Sequence, residues 1–85
     1  MTELAEIAAV VSAAWQEVLR RDDFGADDDF IEMGATSLDA VRIVARVSED
    51  LDLDLSVRVL LEPRTLTGMV DRVRQEAAAQ AGAST

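Results

Sequence analysis

Eighty-five residues with a formal net charge of −9 make one small domain, which hides only about 60–65% of the surface its unfolded chain exposes and has little room for a deep, water-free catalytic cavity. Cysteine, histidine, tyrosine and lysine are absent, and all eight basic residues are arginine; this removes disulfides, thiolate chemistry, the commonest general bases and most metal chemistry, and leaves carboxylates for acid–base work. The acidic balance disfavours nucleic acid and anionic lipid, and it serves equally as a solubility device or as a means of steering basic protein partners.

No apolar run reaches the length of a membrane span, and the start Met1-Thr2-Glu3-Leu4 lacks the basic residues of a signal peptide. The expectation is a cytoplasmic monomer with no membrane or nucleic-acid partner.

Along the chain, Leu4, Ile7, Ala8, Val11, Trp15, Val18 and Leu19 recur at three-and-four spacing, with Glu3, Glu6, Gln16 and Glu17 elsewhere on the wheel. This predicts an amphipathic first helix, with Thr2 as its cap and Arg20-Arg21 at its negative pole. The stretch "DDFGADDDFIEMGAT", Asp22 to Thr36, then reads as a long loop. Its Phe24, Phe30, Ile31 and Met33 are more apolar than a solvated linker needs, so we expect Phe30 and Met33 to pin it over the helices, with Phe24 as a further candidate. The run Asp27-Asp28-Asp29 raises the question of calcium. Counted from Asp27, however, Glu32 stands where an EF-hand needs glycine and Leu38 where it needs glutamate. No metal site is expected.

A second helix is predicted from Ser37 to about Asp50, opened by Thr36 as N-cap with Asp39 completing a capping-box-like pattern. Ala40, Ile43, Val44, Val47 and Leu51 form a core stripe, while Leu38, Val41 and Ala45 form a neighbouring one between Arg42 and Arg46. So wide an apolar face means either burial on two sides or exposure to a partner. "LDLDLSV" alternates like a strand but has nothing evident to pair with, and reads as loop with inward leucines. A short third helix, Ser56 to Leu61, is capped by Ser56 and stopped at Glu62-Pro63. Thr65 caps a last helix with Leu66, Met69, Val70 and Val73 inward. Residues 77–85 have little to bury and are expected to form a flexible tail to a domain spanning 1–76. The fold class is all-α: a four-helix bundle of three longer helices and a short third one, with a long loop between helices 1 and 2.

Ser37 lies where the loop meets the second helix. A serine there is ordinarily a cap or solvated. Three features favour more: Thr36 already caps, which frees the Ser37 hydroxyl; Gly34-Ala35 leave room; and the orphan N–H groups and positive dipole end suit an anion. Catalysis by Ser37 itself lacks a base, because the chain has neither His nor Lys and carboxylates are weak bases at neutral pH. No residue is assigned as catalytic.

"FIEMGATSLDAVRIVARV" resembles the prosthetic-group site of phosphopantetheine carrier proteins, with its phenylalanine, its Met-Gly pair and its Ser-Leu opening the second helix. The likeness runs from Leu4 to about Val73. It implies a carrier-protein fold, with Ser37 accepting 4′-phosphopantetheine from coenzyme A through a phosphopantetheinyl transferase. The thiol that the chain lacks would arrive with that arm. The resemblance also implies a partner surface of Leu38, Val41, Arg42 and Ala45, with Val57 and Leu60 as further contacts for which core packing is an equal reading. Thr36 stands where fatty-acid carriers usually have Asp, and Gly34-Ala35 where peptidyl carriers usually have Gly-Gly. The arginines of the second helix and "SVRVLLEPRTL" are more similar to the peptidyl class. The expectation is thus a free-standing (type II) peptidyl carrier of nonribosomal peptide biosynthesis, served by adenylation, condensation or tailoring enzymes. The alternatives are an acyl carrier served by ketosynthase and acyltransferase, and an unmodified acidic helical adaptor.

Overall fold

The computed structural model describes residues 4–83. Four helices follow one another: α1 (Leu4–Leu19), α2 (Ser37–Leu51), α3 (Arg58–Leu61) and α4 (Leu66–Ala83). The expected Thr2 cap and Glu3 lie outside the described residues. The all-α architecture, with a short third helix and a long first loop, is the one the sequence predicts.

The predicted core stripes meet. Ile7, Val11, Ala14 and Trp15 of α1, Ala40, Ile43, Val44 and Val47 of α2, Val59 and Leu60 of α3, and Met69 and Val73 of α4 are all buried. Leu4 departs from its stripe: it is 55% exposed and lines an open groove with Ala8, Leu66 and Val70.

Phe30 is the loop's anchor, fully buried and edge-on to Trp15 with ring centroids 5.2 Å apart. Phe24 packs on the same indole at 5.7 Å, and the indole N–H donates to Met69 Sδ at 3.3 Å. Polar groups finish the attachment. Phe30 N–H donates to Arg64 C=O at 2.7 Å, Asp29 pairs with Arg64 at 2.9 Å, and Thr67 N–H donates to Ala26 C=O at 3.1 Å. Asp28 accepts from Gly25 N–H at 2.7 Å, and one Asp29 oxygen accepts from Ile31 and Glu32 N–H. The acidic run therefore builds turns from its own backbone and ties the loop to the α3–α4 junction.

Arg20 and Arg21 stand just past the C-terminal end of α1, at its negative pole, Arg20 at φ 56°. Two boundaries differ from expectation. Ser56 precedes α3 rather than opening it: its hydroxyl accepts Arg58 N–H at 3.2 Å, and regular helix starts two residues later than predicted. The last helix runs to Ala83 instead of giving way to a tail after residue 76. Ala77 packs against the core, and the Gln80 side chain both accepts from Asp54 N–H at 3.0 Å and donates to Asp54 C=O at 2.8 Å. A run of alanines has high helix propensity, and that clamp supplies the tertiary contact that the sequence did not reveal.

Candidate functional site at the start of α2

The start of α2 is fixed by Thr36. Its backbone is extended (φ −109°, ψ 168°), its hydroxyl accepts Asp39 N–H at 3.2 Å, and the Asp39 carboxylate accepts Thr36 N–H at 3.0 Å. This reciprocal capping box uses both side chains. Ser37 is thereby the first helical residue, exposed, with no intramolecular partner for its hydroxyl among the described residues. Ala40 N–H reaches back to Thr36 C=O at 3.1 Å, so Ser37 and Leu38 hold the helix-start N–H groups that remain open.

The turn before it gives the hydroxyl clearance. Gly34 has φ +91°, a conformation that side chains rarely adopt, and a Cβ there would meet nothing within 4 Å. Gly34 N–H donates to Ile31 C=O at 3.0 Å and Met33 N–H to Asp29 C=O at 3.1 Å. Beside this turn, a cleft of about 200 Å³ is lined by Val18, Leu19, Arg21, Met33, Gly34, Ala35 and Asp39. Arg21 is committed to Asp23, whose carboxyl it holds below the usual range chiefly through their hydrogen bond at 2.6 Å. An exposed, unpartnered hydroxyl beside free N–H groups and the positive end of α2 fits a phosphodiester on Ser37. No hydrogen bond joins that hydroxyl to a carboxylate among the described residues; the Asp39 carboxylate accepts Thr36 N–H instead.

The other residues singled out in the sequence divide in two. Leu38 is 57% and Val41 51% exposed, and Arg42 and Ala45 are exposed with them. The surplus apolar width of α2 thus faces solvent. Val57 is half-buried, and Leu60 has no exposed surface at all. Leu60 therefore cannot contribute to a contact surface in this conformation; it is a core residue, because the single turn of α3 points it between α2 and α4. Ile31, not assigned to the partner surface, is 43% exposed, and its carbonyl accepts Gly34 N–H in the turn before Ser37. The signal for it was present: with Phe30 driven inward, its neighbour must face out.

The chain matches, over residues 9–73, the family described as "Phosphopantetheine attachment site". Among solved structures it is similar to BlmI, a type-II acyl-carrier-protein from Streptomyces verticillus involved in bleomycin biosynthesis. That match has 42% identity and a TM-score of 0.78, covering 85% of this chain and 87% of the other. Among curated proteins, it is 43% identical over 68 residues to the phosphinothricin tripeptide synthetase PhsC of Streptomyces viridochromogenes, covering 80% of this chain. It is 36% identical over 64 residues to surfactin synthase subunit 3 of Bacillus subtilis, covering 75% of this chain. The chain spans only 6% and 5% of the length of those two relatives. The chain belongs to the phosphopantetheine-attachment-site family. Its fold is that of a carrier protein, its prosthetic group is phosphopantetheine, and the family is one of non-catalytic carriers.

Proposed function

We propose that Ser37 is the attachment point and that the protein is a peptidyl carrier, shuttling aminoacyl or peptidyl groups between enzymes of a nonribosomal peptide or hybrid natural-product pathway. The observation that carries this reading is the Ser37 hydroxyl: exposed, unpartnered and placed at the first helical residue by a cap that the neighbouring Thr36 supplies. In the modifying step, Ser37 Oγ forms a bond to the β-phosphorus of coenzyme A, the P–O bond to the adenosine half breaks, and the proton passes to a base of the transferase. The bound arm supplies the terminal thiol on which cargo is held as a thioester. The chain's own residues expose Ser37, hold α2 rigid beneath it and present Leu38, Val41, Arg42 and Ala45 to whichever enzyme approaches. We read Val57 as the edge of that surface. Adenylation, condensation and tailoring enzymes are the partners this reading names, with the cytoplasm as the compartment.

Similarity to peptide synthetases and the arginines of α2 support the peptidyl class. A second reading, an acyl carrier served by acyltransferase and ketosynthase, draws support from BlmI, which is described as an acyl carrier and matches most of the chain. Loading discriminates the two. The modified protein is offered amino acids with ATP and the adenylating enzyme of its own pathway, and separately acyl-coenzyme A donors with an acyltransferase. An aminoacyl mass increment is expected; acylation with no aminoacylation would transfer the assignment to the second reading.

A further inference from the structure

Three residues other than glycine take a positive φ among the described residues: Arg20, Asp52 and Arg64. Arg20 and Asp52 immediately follow α1 and α2, where a left-handed residue commonly ends a helix. Arg64 stands further beyond its helix, between Pro63 and Thr65, at φ 61°. A residue with a side chain disfavours that conformation, so the contacts around Arg64 must hold it there. Its N–H donates to Leu60 C=O at 2.8 Å, its C=O accepts Phe30 N–H at 2.7 Å, and its guanidinium pairs with Asp29 at 2.9 Å. One residue thus joins the end of α3 to two successive residues of the long loop.

Asp29 is the other half of the joint. Its side chain is 17% exposed, against 39% or more for every other paired carboxylate among the described residues. One carboxylate oxygen meets Arg64, and the other accepts Ile31 N–H at 2.9 Å and Glu32 N–H at 3.1 Å. Its C=O accepts Met33 N–H at 3.1 Å, and Gly34 N–H then donates to Ile31 C=O at 3.0 Å. Residues 31–34 are therefore folded around Asp29, and they end at the Gly34 turn that clears the Ser37 hydroxyl. Phe30 fixes the depth of the loop through its buried ring, whereas the direction of the Asp29 carboxylate is set by Arg64.

We propose that Asp29 and Arg64 are positioning residues for the modification of Ser37: their pair holds the 31–34 turn in shape, so that the transferase meets a site already ordered. The proposal rests on the reading of Ser37 as the attachment point and deepens it by naming two residues, away from the serine, that set how readily it is modified. Without the pair, the turn spends part of its time in other shapes, and apparent affinity falls with the fraction that is competent. The step after binding is unchanged, so the loss falls on KM and not on kcat.

Arg64→Gly separates positioning from stability, because glycine adopts a positive φ without strain while the guanidinium is removed. Parent, Arg64→Gly, Arg64→Lys, Asp29→Asn and the remote control Arg74→Gln, each as the whole unmodified protein, are compared as substrates of a broad-specificity phosphopantetheinyl transferase with coenzyme A. Amide hydrogen exchange and thermal melts are recorded on the same samples. Arg64→Gly is expected to keep a Tm close to the parent's, to raise KM about fivefold with kcat nearly unchanged, and to speed exchange at Ile31, Glu32, Met33 and Gly34. Asp29→Asn carries the same test from the loop side and is expected to raise KM similarly. Arg64→Lys keeps a cation within reach of the carboxylate and is expected to stay within about twofold of the parent, and Arg74→Gln to match it. A parental KM for both Arg64→Gly and Asp29→Asn would overturn the proposal. So would a raised KM with exchange at residues 31–34 unchanged, which would make Arg64 a direct contact of the transferase. Failure of the underlying reading is visible separately, as absence of the phosphopantetheine mass increment on the folded parent.

Discussion

Leu38 and Val47 lie on opposite sides of α2, one 57% exposed and the other fully buried, and the same truncation should have opposite consequences at the two positions. Val47→Ala leaves a cavity in the buried core cluster and should cost roughly 1–4 kcal/mol. Leu38→Ala should leave stability within about 0.5 kcal/mol of the parent and weaken loading by partner enzymes. Thermal melts of the two variants beside a loading assay check the division; equal destabilisation would place Leu38 in the core. At this scale the sequence was informative where local chemistry decides the outcome. Thr36 and Asp39 form the capping box that their spacing predicts, and Ser37 is left free by it. Leu60 was ambiguous, because a helix of one turn has no periodicity from which an inward face can be read. Ile31 was overlooked, because in a loop the facing of a side chain follows from its neighbour's anchor and not from any repeat.

The helices are held as much by their ends as by their faces. Thr36→Ala removes a reciprocal cap and should cost about 1 kcal/mol, seen as a fall in Tm of about 4–8 °C for a domain of this size. Gly68 offers a sharper test. Replacing a glycine inside a helix by alanine ordinarily gains about 1 kcal/mol, but here a Cβ would stand 2.5 Å from Pro63 Cβ and 3.0 Å from Thr65 Oγ1. Gly68→Ala should therefore lower Tm, reporting the close approach of α4 to the α3–α4 turn; a rise would mean that the turn yields freely. The long helices were legible because each carries many repeats of the pattern. The start of α3 and the reach of α4 to Ala83 were not. Both depend on contacts distant in sequence, the latter on the Gln80–Asp54 clamp, whose partners are 26 residues apart.

Across the whole molecule, three ion pairs among the described residues link separate segments: Arg46–Glu17, Arg64–Asp29 and Arg72–Glu62. Glu62 takes Arg72 of α4 and Arg58 of α3, and their hydrogen bonds hold its carboxyl below the usual carboxylate range, Arg72 contributing most. A depressed folded-state pKa stabilises at pH above the unfolded value, and the contribution is lost as pH falls through the lowered one. Glu62→Gln should thus be less stable than the parent at neutral pH, with the two melting curves converging in acid below the ordinary glutamate range. A gap that persists undiminished to low pH would assign the effect to packing. The effect is modest, since the pair is open to solvent.

The same scale holds the central claim, because a carrier is defined by one covalent event on an intact fold. Intact mass after incubation with coenzyme A and a broad-specificity phosphopantetheinyl transferase, for the parent and for Ser37→Ala, tests it most directly. The account predicts a single phosphopantetheine increment on the parent and none on the folded variant. An unmodified, correctly folded parent, or an increment that survives Ser37→Ala, would contradict it.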